Sequence, residues 1–133
     1  MTMRTVYRGD ALQQSLIMLH KSIADVMMSV VVNNVAGMVV ANHIGEHSTI
    51  DEPDAIAAAS AILLDMAENS LSRLDKGETL KRIIMQWNEG TLVVYHCTGD
   101  ISLAVLIAKD AKLGIALVAV EQAALKISGI MMP

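Results

Sequence analysis

The chain has 133 residues, 53% of them hydrophobic and 18% charged, with a formal net charge of −4. That length supports one domain with one core. The 10 Lys and Arg residues are unclustered and aromatic residues number one Trp, two Tyr and no Phe, so neither a phosphate-binding face nor a base-stacking platform is present and nucleic acid is not an expected partner. The mean hydropathy of +0.47 is high for a small monomer and points to burial of surface in an oligomer or complex.

Cys97 is the single cysteine, so no disulfide can form within the chain and a reducing cytoplasm is the expected location. The opening MTMRTVYRGD lacks the apolar core of a secretory leader. Residues 26–45 contain no acid, Lys or Arg, but Asn33, Asn34, Gly37, Asn42 and His43 interrupt them. A membrane span needs about 20 mostly apolar residues, so this stretch reads as helix end, loop and strand, and no membrane partner is expected.

Taken in order, residues 1–9 read as a loose tail. Asp10 with Gln13 resembles a capping box, and Leu12, Leu16, Leu19, Ile23, Val26 and Val30 recur at steps of three and four, predicting a long first helix that Asn33-Asn34 ends. Residues 35–42 (VAGMVVAN) then read as a buried strand, 43–46 as a turn with Gly45 at positive φ, and 47–50 as a short polar edge strand. Asp51-Glu52-Pro53-Asp54 marks a helix start. The helix over residues 55–74 has neither Gly nor Pro inside it and stops before Gly77. Its expected core face is Ile56, Leu63, Ala67, Leu71 and Leu74. Ile62 and Met66 fall outside that face, close to Asn69 and Arg73, and either widen the core stripe or meet a partner. Ala58 and Ala61 thin the outer face enough for another backbone to come close.

Strands are expected at 79–87, 91–97 and 101–108. The first has no purely polar face. A tight loop with Gly90 in a left-handed conformation links the first two, and the third is apolar throughout, which places it at the centre of the sheet. Asp110 would cap a last helix over 111–127, although 113–120 (LGIALVAV) also suits a strand. The order is α-β-β-α-β-β-β-α, an α+β domain with an antiparallel sheet and helices packed on it.

That order, the VAGMVVAN strand, the Ala-rich helix 55–74 and the segment GTLVVYHCTGDISLAVLIAKDAKLG together resemble the Roadblock/dynein light chain family, in its prokaryotic form, from about Asp10 to Ile127. Lys112 stands where that family usually has Asn, and the short polar second strand and abundance of Met are departures. The resemblance implies a profilin-like sheet of five antiparallel strands, the second helix on one face and the terminal helices on the other. It implies homodimers or heterodimers that pair second helices and join third strands edge to edge, with a homodimer or a higher oligomer expected for this chain. Carried to this chain, the interface comprises Ala58, Ala59, Ile62, Met66, Asn69 and Arg73 on the helix and Arg82, Ile84 and Gln86 on the strand. It further implies a partner of the Ras-like small GTPase class, which the chain would activate or scaffold, and no cofactor, metal or catalytic residue.

Nothing in the residues themselves suggests an enzyme. There is no G-x-x-x-x-G-K-[ST] and no G-x-G-x-x-G. His43 and His47 flank a turn without further ligands and read as structural. His96 and Cys97 are adjacent on a strand and point to opposite faces, against a catalytic pair. Arg73 and Arg82 are the arginines that could reach a transferring phosphate, and both read first as surface residues. The leading expectation is a cytoplasmic, non-enzymatic dimeric regulator or scaffold of a Ras-like GTPase. A self-associating structural adaptor and a small-molecule sensor are the alternatives.

Overall fold

The computed structural model describes the backbone of residues 3–132 and the side chains of residues 8–132. Its elements are α1 (Met3–Ser22), β1 (Val26–Asn33), β2 (Met38–Ile44), α2 (Pro53–Leu74), β3 (Arg82–Trp87), β4 (Gly90–Thr98), β5 (Ile101–Ala108) and α3 (Leu113–Met131). The five strands form one sheet in the order β2-β1-β5-β4-β3, each neighbouring pair antiparallel. α2 packs on one face, α1 and α3 on the other. The α+β class, the element order and the layering all match expectation.

The three inner strands explain why both faces need cover. On β5, Leu103, Val105 and Ile107 face α1 and α3, while Ala104 and Leu106 face α2. β4 divides the same way, with Val93 and Tyr95 against the terminal helices and Leu92 and Val94 against α2. A two-residue period that is apolar in both phases produces two core layers. Each such side chain contributes roughly 1.5–3 kcal/mol on burial.

The N-terminal third departs from the sequence reading. The helix ends at Ser22, and Val26–Asn33 is a strand. Val26 and Val30 fell on the helical stripe because a strand buried on both faces is apolar at almost every position and therefore fits any period. The β-branched run Val30-Val31-Val32 was the better guide. Asn33-Asn34 opens a hairpin turn: the Asn33 side-chain oxygen accepts hydrogen bonds from the backbone N–H of Val35 (3.1 Å) and Ala36 (3.3 Å), and Gly37 closes the turn at φ 65. β2 is accordingly 38–44, and residues 47–50, expected as an edge strand, form a turn in which the Ser48 N–H donates to the Gly45 carbonyl. The short polar second strand expected at 47–50 is therefore replaced by β2 at Met38–Ile44.

Upstream, the helix already covers residues 3–9, so these are not a loose tail and Asp10 lies inside the helix; Met1 and Thr2 fall outside the described residues. Two glycines expected at positive φ serve close approach instead. A Cβ on Gly45 would lie 3.0 Å from the Met27 carbonyl oxygen, and one on Gly90 would lie 3.1 Å from that of Ile107. β3 begins at Arg82 instead of 79. α3 starts at Leu113 with Lys112 at its N-cap, because Asp110 and Ala111 are spent on the turn out of β5.

Pro53 opens α2 at its first turn, as expected. The face that α2 buries is Ala57, Ser60 and Leu64, flanked by the half-buried Ile56 and Leu63. Small residues at 57 and 60 let the helix sit close to the sheet, which rotates the core seam away from the largest side chains. Ala67 and Leu71 stay half-buried, and Leu74, expected in the core, is exposed in the last turn.

Candidate functional site

The outer face of α2 is the first part of the site. At about 100° per residue, Ala58, Ile62, Met66, Asn69 and Arg73 lie on the side of the helix away from Ala57, Ser60 and Leu64. Ile62 and Met66 are each 62% exposed, whereas Ala59 is half-buried. The broad-core-stripe alternative therefore fails for Ile62 and Met66, which face outward. Polar Asp65, Glu68 and Asn69 surround them, all exposed.

The backbone that Ala58 and Ala61 admit is one of this chain's own. A Cβ built on Gly37 would lie 3.7 Å from the Ala58 Cα and 3.7 Å from the Ala61 Cβ, so the β1–β2 turn runs along that flank of α2. Beyond it opens a groove of about 640 Å³ bordered by Gly37, Ala58, Ile62, Asp65 and Met66, with Asp100 of the β4–β5 turn at one side. The groove joins the exposed apolar side chains to the ends of two hairpins.

β3 forms the second part. It closes the sheet and pairs only with β4, leaving its outer edge without a strand partner among the described residues. Such an edge is a template for another strand. Register places Ile83 opposite Val94 and Ile84 opposite Val93. Arg82, Ile84 and Gln86 therefore share the α1/α3 face, while Ile83, Met85 and Trp87 share the α2 face. Ile84, Met85 and Trp87 are all exposed, so β3 carries apolar surface on both faces. Met85 and Trp87 lie on the same side of the sheet as Ile62 and Met66, and neither belongs to the interface expected from the sequence. The strand alternation contained that signal, but only the register decided which phase lies beside α2.

Electrostatics add little reactive character. The Arg82 guanidinium donates to the Tyr95 hydroxyl at 2.9 Å and stacks 5.8 Å from its ring centroid, which holds this arginine on its own sheet. Arg73 is exposed in the last turn of α2. Cys97 packs against the α1/α3 core, its thiol hydrogen donated to the Tyr95 carbonyl at 3.8 Å, and burial pushes its pKa up to about 12. Such a thiol is a poor nucleophile. His96 turns the other way, to the Gly99 carbonyl at 3.0 Å. His43 lies on β2, edge-on to His20 of α1 with ring centroids 4.5 Å apart, and His20 hydrogen-bonds the Ser29 hydroxyl at 2.9 Å. No group of three or more His, Cys, Asp or Glu suited to a metal exists among the described residues.

Comparison with known proteins follows the same lines. The model of the Roadblock/LC7 domain matches residues 12–107, and the chain belongs to that family. It superimposes on a Roadblock/LC7 domain from Streptomyces avermitilis with a TM-score of 0.80 at 16% identity, over 91% of this chain and 98% of that one. The gliding protein MglB of Thermus thermophilus gives a TM-score of 0.82 at 16% identity, over 92% and 90% of the two chains. MglC of Myxococcus xanthus is more distant, with a TM-score of 0.63 at 16% identity over 90% and 98%. At these identities the likeness is one of fold. No curated protein matches the sequence.

Proposed function

We propose that this Roadblock/LC7 protein is a dimeric, non-enzymatic regulator or scaffold of a Ras-like small GTPase, acting in the cytoplasm. The observation that carries the reading is the pair of exposed elements, α2 with Ile62 and Met66 facing outward and β3 with an open edge. Two copies meeting there would pair their α2 helices and join their sheets through β3. The joined α2 helices would then present one composite surface, flanked by the grooves beside Gly37. A solved MglB has a tetrameric arrangement, which supports self-association as a property to test in this chain.

The GTPase part of the reading rests on family membership together with the chain's lack of any phosphate-binding loop of its own. Regulation needs only that the composite surface prefer one nucleotide state of the partner. Because Arg82 is already engaged with Tyr95, Arg73 is the arginine free to reach towards such a partner.

The test is capture from the source cell's lysate with the protein as bait, run with GDP and with a non-hydrolysable GTP analogue. Identification of a Ras-like GTPase in one lane only supports a regulator, and turnover assays then separate activation from scaffolding. The same GTPase in both lanes supports a constitutive scaffold. Recovery of the chain alone in both lanes refutes the GTPase reading and favours a structural adaptor. Ile62→Glu with Met66→Glu is expected to lower the mass of the dimer to that of a monomer in sedimentation at low micromolar concentration.

A further inference from the structure

α3 is the last helix against the sheet, and its outward face is unlike that of a solvent-facing helix. Ala116, Val120, Ala123, Ala124 and Ile127 are buried against the core. On the opposite side, Ile115, Val118, Leu125 and Met132 are exposed, with Leu125 69% exposed. Within the helix, Ile115, Val118, Gln122, Leu125 and Gly129 follow steps of three, four, three and four residues, the spacing of a coiled-coil seam, and Met132 extends that side from the C-cap. Glu121 and Lys126 are the only charged residues between Leu113 and Met131, and Glu121 is tied to Lys81 at 3.3 Å. By length and composition this helix would suffice to cross a membrane. Beside it Met18 of α1 is also exposed, and a groove of about 350 Å³ runs between the two helices past Ser15, Ala119 and Gln122.

We infer that the seam Ile115–Val118–Leu125–Met132 is a second self-association surface, on which the α3 helix of another copy packs. Three observations favour a second copy over other occupants. The seam has the period at which one helix packs into another, and an identical helix supplies the matching period. The chain carries a net charge of −4, yet this face has almost no charge, so two copies can approach here without opposing their acids. The five exposed apolar side chains, Met18 included, offer on the order of 500 Å² per copy. That is below the roughly 800 Å² of a standard interface, so the contact is weak by itself and is strengthened where another interface already holds the subunits together. A membrane surface fits less well. Interfacial helices carry several basic residues beside the apolar face, and α3 has Lys126 alone.

The surface lies across the sheet from α2. If dimers form through β3 edges, as proposed above, both α3 helices of a dimer lie on one side of its continuous sheet. Two dimers stacked through that side give a closed tetramer. Closure rests on the dimer reading; the α3 contact does not.

Sedimentation equilibrium of the full chain over 1–100 µM (an experimental range set about typical self-association constants) tests the inference, with far-UV circular dichroism to confirm folding. The wild type is expected to approach four chains at the upper concentrations. Leu125→Glu should halve that mass, and the milder pair Val118→Gln with Leu125→Gln should weaken the step without disturbing the helix. Ile62→Glu with Met66→Glu should leave a monomer at low micromolar concentration and a dimer held by α3 only at the upper concentrations, and adding Leu125→Glu to that pair should leave a monomer throughout. A mass unaffected by the α3 variants at every concentration overturns the inference while leaving the α2 dimer intact. A wild-type dimer that Leu125→Glu dissociates and the α2 variants do not would support the α3 contact and overturn the proposed dimer. Flotation of the chain with phosphatidylcholine vesicles, lost in Leu125→Glu without any change of mass, would assign the face to lipid and overturn the inference.

Discussion

Two buried polar side chains show how single residues set local stability. The Ser60 hydroxyl sits in the α2 seam with no hydrogen-bond partner, while Ser29 on β1 is bonded to His20. An unpartnered buried hydroxyl costs about 1–3 kcal/mol, so Ser60→Ala should stabilise the fold by up to about 1 kcal/mol and raise the melting temperature by a few degrees. Ser29→Ala should act in the opposite direction by stranding His20. Scanning calorimetry of both variants checks the pair of signs. His20 also sets a pH dependence. Burial, helped by the neighbouring His43, lowers its pKa from 6.5 to about 4. The folded chain keeps this ring neutral where the unfolded chain takes up a proton, so the stability it contributes is intact above pH 6.5 and is lost as pH falls towards 4. Urea midpoints measured between those limits should fall, and fall less steeply in His20→Gln.

At the scale of elements, α2 separates into a face that supports the fold and a face that does not. Leu64→Ala should cost about 2–5 kcal/mol in chemical denaturation, since it empties a site sealed between Ala57, Ser60 and β1. Ile62→Ala, on the outward face, should change the stability of the isolated subunit by less than about 0.5 kcal/mol. A large effect of Ile62→Ala on a monomeric background would show that the outer face is part of the core after all. Gly37 connects α2 to the hairpin. Its φ of 65 lies in the left-handed region that a side chain strains, while a Cβ there would meet Ala58 and Ala61 at an ordinary contact distance of 3.7 Å. Gly37→Ala should therefore destabilise by more than about 1 kcal/mol and distort the groove beside Ile62. The elements also differ in how plainly they were written. α2, β4 and β5 were recognised from their own residues, because caps, turns and runs coincide. β1 reads as a continuation of the preceding helix, because uniform apolarity carries no period, so the strand read at 35–42 overlaps β2 and takes the first place in the expected strand order.

For the molecule as a whole, the Roadblock/LC7 fold leaves apolar surface at four places among the described residues: α2, the β3 edge, α3, and the β1–β2 turn with β2, where Val35, Met38, Val40 and Ile44 are exposed. A high mean hydropathy in a small chain is therefore explained by surfaces facing outward on both sides of the sheet, beyond what its own core consumes. The expectation is an assembly whose mass depends on concentration, disturbed separately by substitutions on α2 and on α3. The sequence by itself determined the class, the element order, the absence of nucleotide-binding motifs and the place of Ile62 and Met66 outside the expected core face of α2, because helical period and turn chemistry are local, whereas their exposure was settled by the packing of α2 on the sheet. Only the tertiary structure decided which phase of β3 lies beside α2, that Ala57, Ser60 and Leu64 form the seam, that Gly37 is the backbone against Ala58, and that the second face of α3 is left uncovered. Those depend on strand register and on how closely layers approach, which are set by contacts between residues far apart in the chain.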